Sequence, residues 1–232
     1  MYRLHYAPDN ASLIVRLALL ELDRPFTTVL VDRSSRQQDS AAYRRLNPAG
    51  LIPVLETAQG PIFETGAIVL WLAETHGAMA PATGDPQRGG FLKWLFFVSN
   101  TLHADLRMVF YPEQYVGPEP GAQRLLHAAV TARVRRHYGL LEDLAGSAWC
   151  WFGAAQPSML DLYVAVTLRW AQIYARVDRH WLRLQDYPAL LALVRRLESR
   201  ASVVQAATRE GLAETPFSAP GPCHPPEGSA LG

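Results

Sequence analysis

The sequence predicts a small α/β domain followed by a domain built only of helices. Over residues 1–77, short strands rich in β-branched and aromatic residues alternate with helical patterns. Residues 78–86 form a linker of Pro, Gly and Ala, and from residue 87 to 212 only helical periodicity continues. The chain has 232 residues, which is enough for two domains of about 100 residues each.

The first domain is expected to follow the order β-α-β-α-β-β-α. A helix between the first two strands implies that these strands are parallel and joined by a right-handed crossover. The last two strands form a hairpin, and the final helix ends at Gly77, which suits the left-handed backbone of a helix C-terminus. The expected strands cover residues 2–6, 26–31, 52–56 and 61–63, and the expected helices cover residues 12–22, 41–46 and 65–76.

The second domain is expected to contain long helices at residues 87–111, 123–145, 158–175 and 188–207. In the second of these, apolar residues recur at helical spacing and form one continuous face. The tail at residues 213–232 holds five Pro and three Gly, a composition that cannot form a core. The sequence therefore predicts that the tail is disordered.

The charge and cysteine content exclude several classes of protein. Lys and Arg number 22 and Asp and Glu 21, so there is no excess of positive charge for nucleic acid, and no apolar run reaches the ~18–20 residues of a membrane span. Cys150 and Cys223 are too few for a disulfide scaffold or a cysteine-built zinc site, and no metal is expected. The N-terminus lacks the apolar segment of a secretory signal. We expect a cytoplasmic protein with no nucleic-acid or membrane partner.

Short motifs with functional meaning occur at residues 6–13 (YAPDNASL), 47–55 (NPAGLIPVL), 63–68 (FETGAI), 157–163 (PSMLDLY) and 168–171 (LRWA). Together they resemble the motifs of the glutathione S-transferase superfamily, with the bacterial beta class as the nearest pattern. The resemblance covers about residues 1–212. It implies a thioredoxin-like first domain, an all-helical second domain, a homodimer, and a role in detoxification. The implied substrates are glutathione and a small hydrophobic electrophile.

Two of these motifs are suited to binding glutathione. A cis Pro53 would turn the chain so that the backbone N–H and C=O of Ile52 face outward, where an extended tripeptide can pair with them. Glu64 offers a carboxylate to an ammonium group, and Thr65 at a helix start offers its hydroxyl and N–H to a carboxylate. A γ-glutamyl group carries both charges on one carbon and matches this pair. The alternatives are a trans proline in an edge strand and simple helix capping by Thr65.

Ser158 and Asp161 have the spacing of a Ser-x-x-Asp capping box. Such a box contributes about 0.5–2 kcal/mol to one helix. We interpret the pair as structural rather than catalytic.

The sequence departs from the beta class at Ala11, where that class carries a cysteine. A mixed disulfide between the protein and glutathione at this turn is therefore excluded, but a hydroxyl could still stabilise a thiolate, since one charge-assisted hydrogen bond contributes about 1.5–3 kcal/mol. Ser12 at the helix start is the first candidate for this role. Tyr6 at the end of the strand is the second, and the Asn10 amide is the third. Ser12 could equally be a plain N-cap.

The acceptor site is expected on the first long helix of the second domain. His103 lies in a segment, NTLH, that resembles the beta-class Thr-Glu-Leu-His segment, and Met108 and Tyr111 could supply walls. A lone helical histidine can also be purely structural. Phe96 stands where the beta class usually offers an asparagine to glutathione, so one polar contact is expected to be missing.

The sequence leaves three functions open. The first is an enzyme of the glutathione S-transferase type that conjugates glutathione to small electrophiles. The second is a non-catalytic module for protein contacts, and the third is a glutathione-dependent disulfide reductase or peroxidase without an enzyme cysteine. A dimer interface is expected from apolar residues of the helix after the linker, unless they fill the core: Phe91, Trp94, Leu95, Phe96 and Phe97.

Overall fold

The computed structural model describes residues 1–147, 149–178 and 180–230. Its sheet contains four strands: β1 (Tyr2–Tyr6), β2 (Phe26–Leu30), β3 (Val54–Thr57) and β4 (Gly60–Phe63). They lie in the order β2-β1-β3-β4. β1 is parallel to β2 and antiparallel to β3, which forms a hairpin with β4. This is the predicted thioredoxin-like arrangement.

Three helices accompany the sheet: α1 (Ser12–Glu21), α2 (Ala41–Arg44) and α3 (Thr65–His76). α1 is buried along most of its length because it packs against α3 on one side and against the second domain on the other. Its apolar residues belong to one hydrophobic core that continues through both domains. The start of α1 is thereby fixed relative to the second domain.

The regular elements of the second domain, among its described residues, are all helices. Its helices are α4 (Arg88–Phe97), α5 (His103–Phe110), α6 (Glu113–Val116), α7 (Pro120–Ala145), α8 (Met159–Ile173), α9 (Pro188–Glu198) and α10 (Ala201–Glu210). A π-helical turn at Val98–Leu102 joins α4 to α5. The fold class predicted from the sequence, an α/β domain followed by an all-α domain, is confirmed.

Two helices that the sequence predicts as continuous are interrupted. The π-helical turn divides the predicted helix 87–111, and an extended residue, Arg200, divides the predicted helix 188–207. The Arg200 guanidinium donates two hydrogen bonds to the Glu21 carboxylate, at 2.6 and 2.7 Å. The break between α9 and α10 therefore lies at a contact between α1 and the second domain. The spacing of apolar residues in the sequence does not indicate this contact.

The capping box on α8 is present as predicted. The Ser158 hydroxyl accepts from the backbone N–H of Leu160 and Asp161, and the Asp161 carboxylate accepts from the Ser158 N–H at 2.7 Å. Asp161 also accepts from the Gly153 N–H at 2.7 Å, and burial raises its pKa to about 6. The pair anchors the buried helix that forms one wall of the site described below.

The C-terminal tail, which the sequence predicts to be disordered, makes specific contacts with the rest of the protein. Residues 213–230 form no helix or strand, but Phe217 is only 1% exposed and its N–H donates to the Glu198 carboxylate at 2.8 Å. The carbonyls of Pro216 and Gly221 accept from Arg169, both at 3.0 Å. Composition predicts the absence of regular structure, but not these contacts with the rest of the protein.

Among the described residues, none of the helices combines the length and the hydropathy that a membrane span requires.

Candidate active site

A cavity of about 460 Å³ lies between the two domains. The first domain contributes the turn before α1, the loop before β3 and the start of α3. The second domain contributes α5 and the C-terminal end of α8. The cavity therefore has one wall from each domain.

The loop before β3 presents Ile52 and Pro53 to this cavity, and the peptide bond between them is cis. The Leu51 carbonyl accepts hydrogen bonds from Asn47 Nδ2 at 2.8 Å and from the Tyr43 hydroxyl at 2.9 Å. Because Ile52 precedes the first paired residue of β3, its backbone is outside the sheet ladder. This is the geometry expected for pairing with an extended peptide.

Glu64 and Thr65 line the same cavity at the start of α3. Glu64 has a φ of 70°, which residues with a side chain rarely adopt, and its side chain is exposed. Backbone strain of this kind is common at ligand-binding positions. Thr65 is buried at the first residue of the helix. The predicted charge pair, a carboxylate beside a helix N-terminus, is thus brought to one place.

The turn before α1 is held by a buried ion pair that connects the two domains. Asp9, with a φ of 50°, accepts from Arg169 Nε at 2.8 Å and from Arg169 Nη2 at 2.6 Å. Trp170 Nε1 donates to the same carboxylate at 3.1 Å, and the Tyr174 hydroxyl also donates to it. Neither Asp9 nor Arg169 has an exposed side chain, so the charge of Asp9 is satisfied internally.

A second buried ion pair, between Arg16 and Glu210, supports the same turn. The Glu210 carboxylate accepts from Arg16 Nε at 2.7 Å and from the Asp9 backbone N–H at 2.7 Å. The backbone of the turn is therefore fixed by α10 as well as by α8.

The three candidates for thiol activation are placed differently. Ser12 is fully buried: its hydroxyl donates to the Ala7 carbonyl at 3.0 Å and accepts from the Ala7 N–H at 3.3 Å. The Tyr6 hydroxyl donates to Glu227 of the tail, and burial together with this carboxylate raises the Tyr6 pKa. Only Asn10 of the three lines the cavity. The preference for Ser12, and for Tyr6 after it, is not supported by this geometry, because each hydroxyl proton is already donated elsewhere.

Asn10 accepts a hydrogen bond from the Ala11 N–H at Oδ1, at 2.7 Å. In the part of the chain that the structure describes, no hydrogen bond from its Nδ2 is found, and the side chain is partly exposed. Its amide can thus donate to a group bound in the cavity. Ala11 lies beside it in the lining and offers no side-chain donor.

Of the three residues predicted for the acceptor site, His103 and Tyr111 line the cavity and Met108 does not. Met108 points away and packs against the core, because a residue five positions after His103 lies on another face of α5. His103 Nδ1 is 3.0 Å from the Tyr163 hydroxyl. Burial, with a smaller effect of Arg107, lowers the His103 pKa to about 4. The ring is therefore neutral at physiological pH.

Phe96 does not line the cavity and is 52% exposed. One turn further along the same wall, Ser99 reaches the lining instead and packs close to Gly66, where an added Cβ would lie 3.1 Å from the Ser99 Cβ. The helical domain thus places a small hydroxyl on this side of the cavity, where it donates to Asn100 Oδ1 at 3.0 Å.

Sequence reasoning missed Asp9, Tyr163 and the arginines of the cavity, which are Arg33, Arg107 and Arg176. The left-handed backbone at Asp9 had a weak sequence signal, since aspartate tolerates that conformation better than most residues. The three arginines had no sequence signal, because the sequence does not distinguish an arginine that lines a cavity from an arginine in solvent.

A thioredoxin-like domain and a helical domain that share one cavity form the two-domain architecture of the glutathione S-transferase fold. Two family models match the chain: the glutathione S-transferase N-terminal domain over residues 11–75 and the glutathione S-transferase C-terminal domain over residues 124–196. Glutathione S-transferase GST-4.5 of Xanthomonas campestris is 30% identical over 217 residues, which cover 90% of this chain and 99% of that protein. The chain belongs to the glutathione S-transferase family.

Solved structures agree with this assignment. A bacterial beta-class glutathione S-transferase of Sphingomonas chungbukensis is 28% identical, with a TM-score of 0.72, over 90% of this chain and 98% of that one. A sphingomonad glutathione S-transferase complexed with glutathione is also 28% identical, with a TM-score of 0.72, over 91% of this chain and 100% of that one. The resemblance to the bacterial beta class is confirmed.

Proposed function

We propose that this protein is an enzyme that binds glutathione in the cavity between its domains and transfers it to a small electrophile with a hydrophobic body. The observation that carries the proposal is the meeting of the Ile52-Pro53 loop and the Glu64-Thr65 pair in one cavity. The glutathione complex of the sphingomonad relative supports the same reading.

The γ-glutamyl and cysteinyl parts of glutathione then each have a partner in the first domain. The γ-glutamyl ammonium pairs with Glu64, and its carboxylate accepts from the Thr65 hydroxyl and N–H at the start of α3. The cysteinyl backbone pairs with the N–H and C=O of Ile52. This arrangement directs the thiol toward the start of α1, where Asn10 and Ala11 line the cavity.

The proposed donor to the thiolate is the Asn10 Nδ2 group, assisted by the N-terminus of α1. Lowering a thiol pKa from about 8.5 to about 6.5 requires roughly 2.7 kcal/mol of preference for the anion. A hydrogen bond to a charged group contributes about 1.5–3 kcal/mol and a helix N-terminus about 0.3–1 kcal/mol. One amide donor with the helix is therefore sufficient.

The electrophile would lie against the second domain, beside His103 and Tyr111. In the reaction, the thiolate sulfur forms a bond to an electrophilic carbon of the acceptor. The electron pair displaced from that carbon leaves with a leaving group, or moves along a conjugated double bond that then takes a proton from solvent. Because His103 is neutral and its Nδ1 is paired with the Tyr163 hydroxyl, we assign it a role in shaping the site.

Calorimetric titration with glutathione up to about 10 mM tests the proposal, since this exceeds the usual range for small substrates. We expect one binding event, at least tenfold weaker in Glu64→Gln, because the substitution leaves the ammonium without its counter-charge. Glu214→Gln is the matched control, since Glu214 is exposed and does not line the cavity. No heat of binding in the wild-type protein would favour the non-catalytic module instead.

We also propose a homodimer located in the cytoplasm. Phe91 and Leu95 belong to the core of one chain, but Phe96 is 52% exposed and Trp94 and Phe97 are partly exposed. These three aromatic side chains supply an apolar surface suited to a twofold contact. Sedimentation at micromolar concentration should give a species of about twice the chain mass, and a single species of one chain would contradict the dimer.

A further inference from the structure

Three guanidinium groups meet at Tyr111, on the acceptor side of the cavity. Arg33 Nη2 donates to the Tyr111 hydroxyl at 3.1 Å. The guanidinium carbon of Arg107 lies 5.7 Å from the centroid of the Tyr111 ring, and that of Arg176 lies 5.9 Å from it. We call Arg33, Arg107 and Arg176 the arginine cluster. Its members come from the loop after β2, from α5 and from the residues after α8, and all three line the cavity.

The positive charge of the arginine cluster is not balanced by the rest of the lining. Among the described residues that line the cavity, the carboxylates are Asp9 and Glu64. Asp9 is neutralised by the buried Arg169, and Glu64 lies at the start of α3, where the proposed glutathione ammonium binds. The acceptor side of the cavity is therefore cationic.

The other partners of the cluster leave most of its donors available. Glu113 is 3.4 Å from Arg176, but the two side chains are 36% and 52% exposed, and such a surface pair contributes little. Arg33 Nη1 donates to the Ala230 carbonyl, which is uncharged. Each guanidinium has five N–H groups, so donors remain for a carboxylate.

The wall beside the arginine cluster is aromatic and apolar. Phe110, Trp170, Ile173 and Tyr174 line it. An acceptor that fits this surface has a flat hydrophobic body and one anionic group at the end that reaches Tyr111.

We propose that the acceptor site binds a co-substrate that carries a carboxylate, and that the arginine cluster is the group that binds it. This inference rests on the proposed transferase function and adds a carboxylate to the chemistry of the molecule that the acceptor side binds. The carboxylate has two possible sources, the electrophile itself or the glycine end of a second glutathione.

A carboxylic acid and its methyl ester with the same reactive group are suitable substrates for the test. Comparing them separates the effect of the negative charge on the reaction rate from the effect of molecular shape. Suitable probes are 3-benzoylacrylate and its methyl ester. In both, the thiolate sulfur bonds to an alkene carbon, the π electrons move to form an enolate, and a solvent proton completes the adduct. The readout is kcat/KM at saturating glutathione, divided by the uncatalysed rate constant of the same compound.

The wild-type protein should favour the acid over the ester, and Arg107→Gln should lower kcat/KM for the acid tenfold or more while changing that for the ester less than twofold. Arg107→Gln/Arg176→Gln should lower it further. Arg209→Gln is the matched control, because Arg209 is exposed and lies outside the cavity lining. An acid-to-ester ratio that is the same in all variants would overturn the assignment to an anionic electrophile.

Binding of S-methylglutathione separates failure of this inference from failure of the proposed function. If the wild-type protein does not bind it, the proposed function fails whatever the acid-to-ester ratio. If Arg107→Gln weakens this binding and leaves the ratio unchanged, the cluster belongs to the first glutathione and the inference is overturned.

The stoichiometry of glutathione binding identifies the source of the carboxylate. Two glutathione molecules per chain in the wild-type protein, reduced to one in Arg107→Gln, would assign the cluster to a second glutathione. One glutathione per chain together with the acid preference would assign it to the electrophile. One glutathione per chain without that preference contradicts both sources.

Discussion

The two proposed sides of the cavity, one for glutathione and one for the acceptor, are built by different means. On the glutathione side, the groups are positioned by backbone geometry: the loop around Pro53, the left-handed backbone at Glu64 and the first residue of α3. On the acceptor side, the groups are long side chains from separate elements that meet at Tyr111. The glutathione side is therefore determined by the backbone of the fold. The acceptor side depends instead on which side chains occur at a few positions of that fold.

Asp9 connects the two sides, because it belongs to the turn before α1 and binds Arg169 and Trp170 of α8. We expect Asp9→Ala to have a larger effect than any other single substitution in or beside the cavity. Removing one partner of a buried ion pair leaves the other charge uncompensated, at a cost of about 3–5 kcal/mol. Urea denaturation at pH 7 measures the loss in the free energy of unfolding.

Asp23→Ala is the control for Asp9→Ala, since Asp23 has the same φ of 50° but is exposed. It should lower the free energy of unfolding by only about 1 kcal/mol, the contribution of the left-handed backbone alone. Equal losses in the two variants would show that the ion pair does not hold the domains together.

His103 gives the stability of the protein a pH dependence that originates on the acceptor side of the cavity. Its pKa is about 4 in the folded protein, against 6.5 for an unperturbed histidine, because burial disfavours the charged ring. Between these values the unfolded chain binds a proton that the folded chain does not, so the free energy of unfolding falls as the pH drops from about 6.5 toward 4. Above pH 6.5 this contribution is fully present.

We expect protonation of His103 to lower the free energy of unfolding by about 2–3 kcal/mol between pH 6.5 and pH 4. This is less than the lowered pKa of His103 implies, because the ring remains partly open to the cavity. Urea denaturation at pH 7 and pH 5 should show a smaller difference for His103→Gln than for the wild-type protein. The exposed His180 supplies the control: His180→Gln should keep the wild-type difference. A His103→Gln protein with the same pH dependence as wild type would contradict the assignment.

A smaller effect is expected on the glutathione side at Asn10. Asn10→Ala should raise the pKa of the bound glutathione thiol by about one unit, equivalent to ~1.4 kcal/mol, with little change in affinity. Thiolate absorbance near the ultraviolet edge, titrated with glutathione bound, measures it. Ser12→Ala should leave this pKa unchanged, because the Ser12 hydroxyl donates to the Ala7 carbonyl. A raised thiol pKa in Ser12→Ala and an unchanged thiol pKa in Asn10→Ala would instead favour Ser12, the candidate preferred from the sequence.

The sequence predicted the features that depend on local pattern. The strand and helix order of the first domain, the capping box of Ser158 and Asp161, and the position of Ile52 and Glu64 in one cavity all follow from motifs of a few residues. These features have short-range causes, such as the turn preference of proline or the donors at a helix start.

Features that depend on distant contacts were not predictable in the same way. Asp9 and Arg169 are 160 positions apart, and nothing in either neighbourhood indicates the other. The direction of the Ser12 hydroxyl depends on a rotamer chosen by burial, and the packing of Phe217 depends on a pocket formed by other elements. The arginine cluster likewise exists only where three separate elements meet.

The most direct test of a cavity with two chemically separate sides combines Glu64→Gln and Arg107→Gln, singly and together. Two quantities are measured for each protein: the Kd for S-methylglutathione and the acid-to-ester ratio of kcat/KM for the benzoylacrylate pair. We predict that Glu64→Gln raises the Kd at least tenfold without changing the ratio, that Arg107→Gln lowers the ratio at least fivefold without changing the Kd, and that the double variant shows both effects independently. Substitutions that each change both quantities would contradict the separation of the two sides.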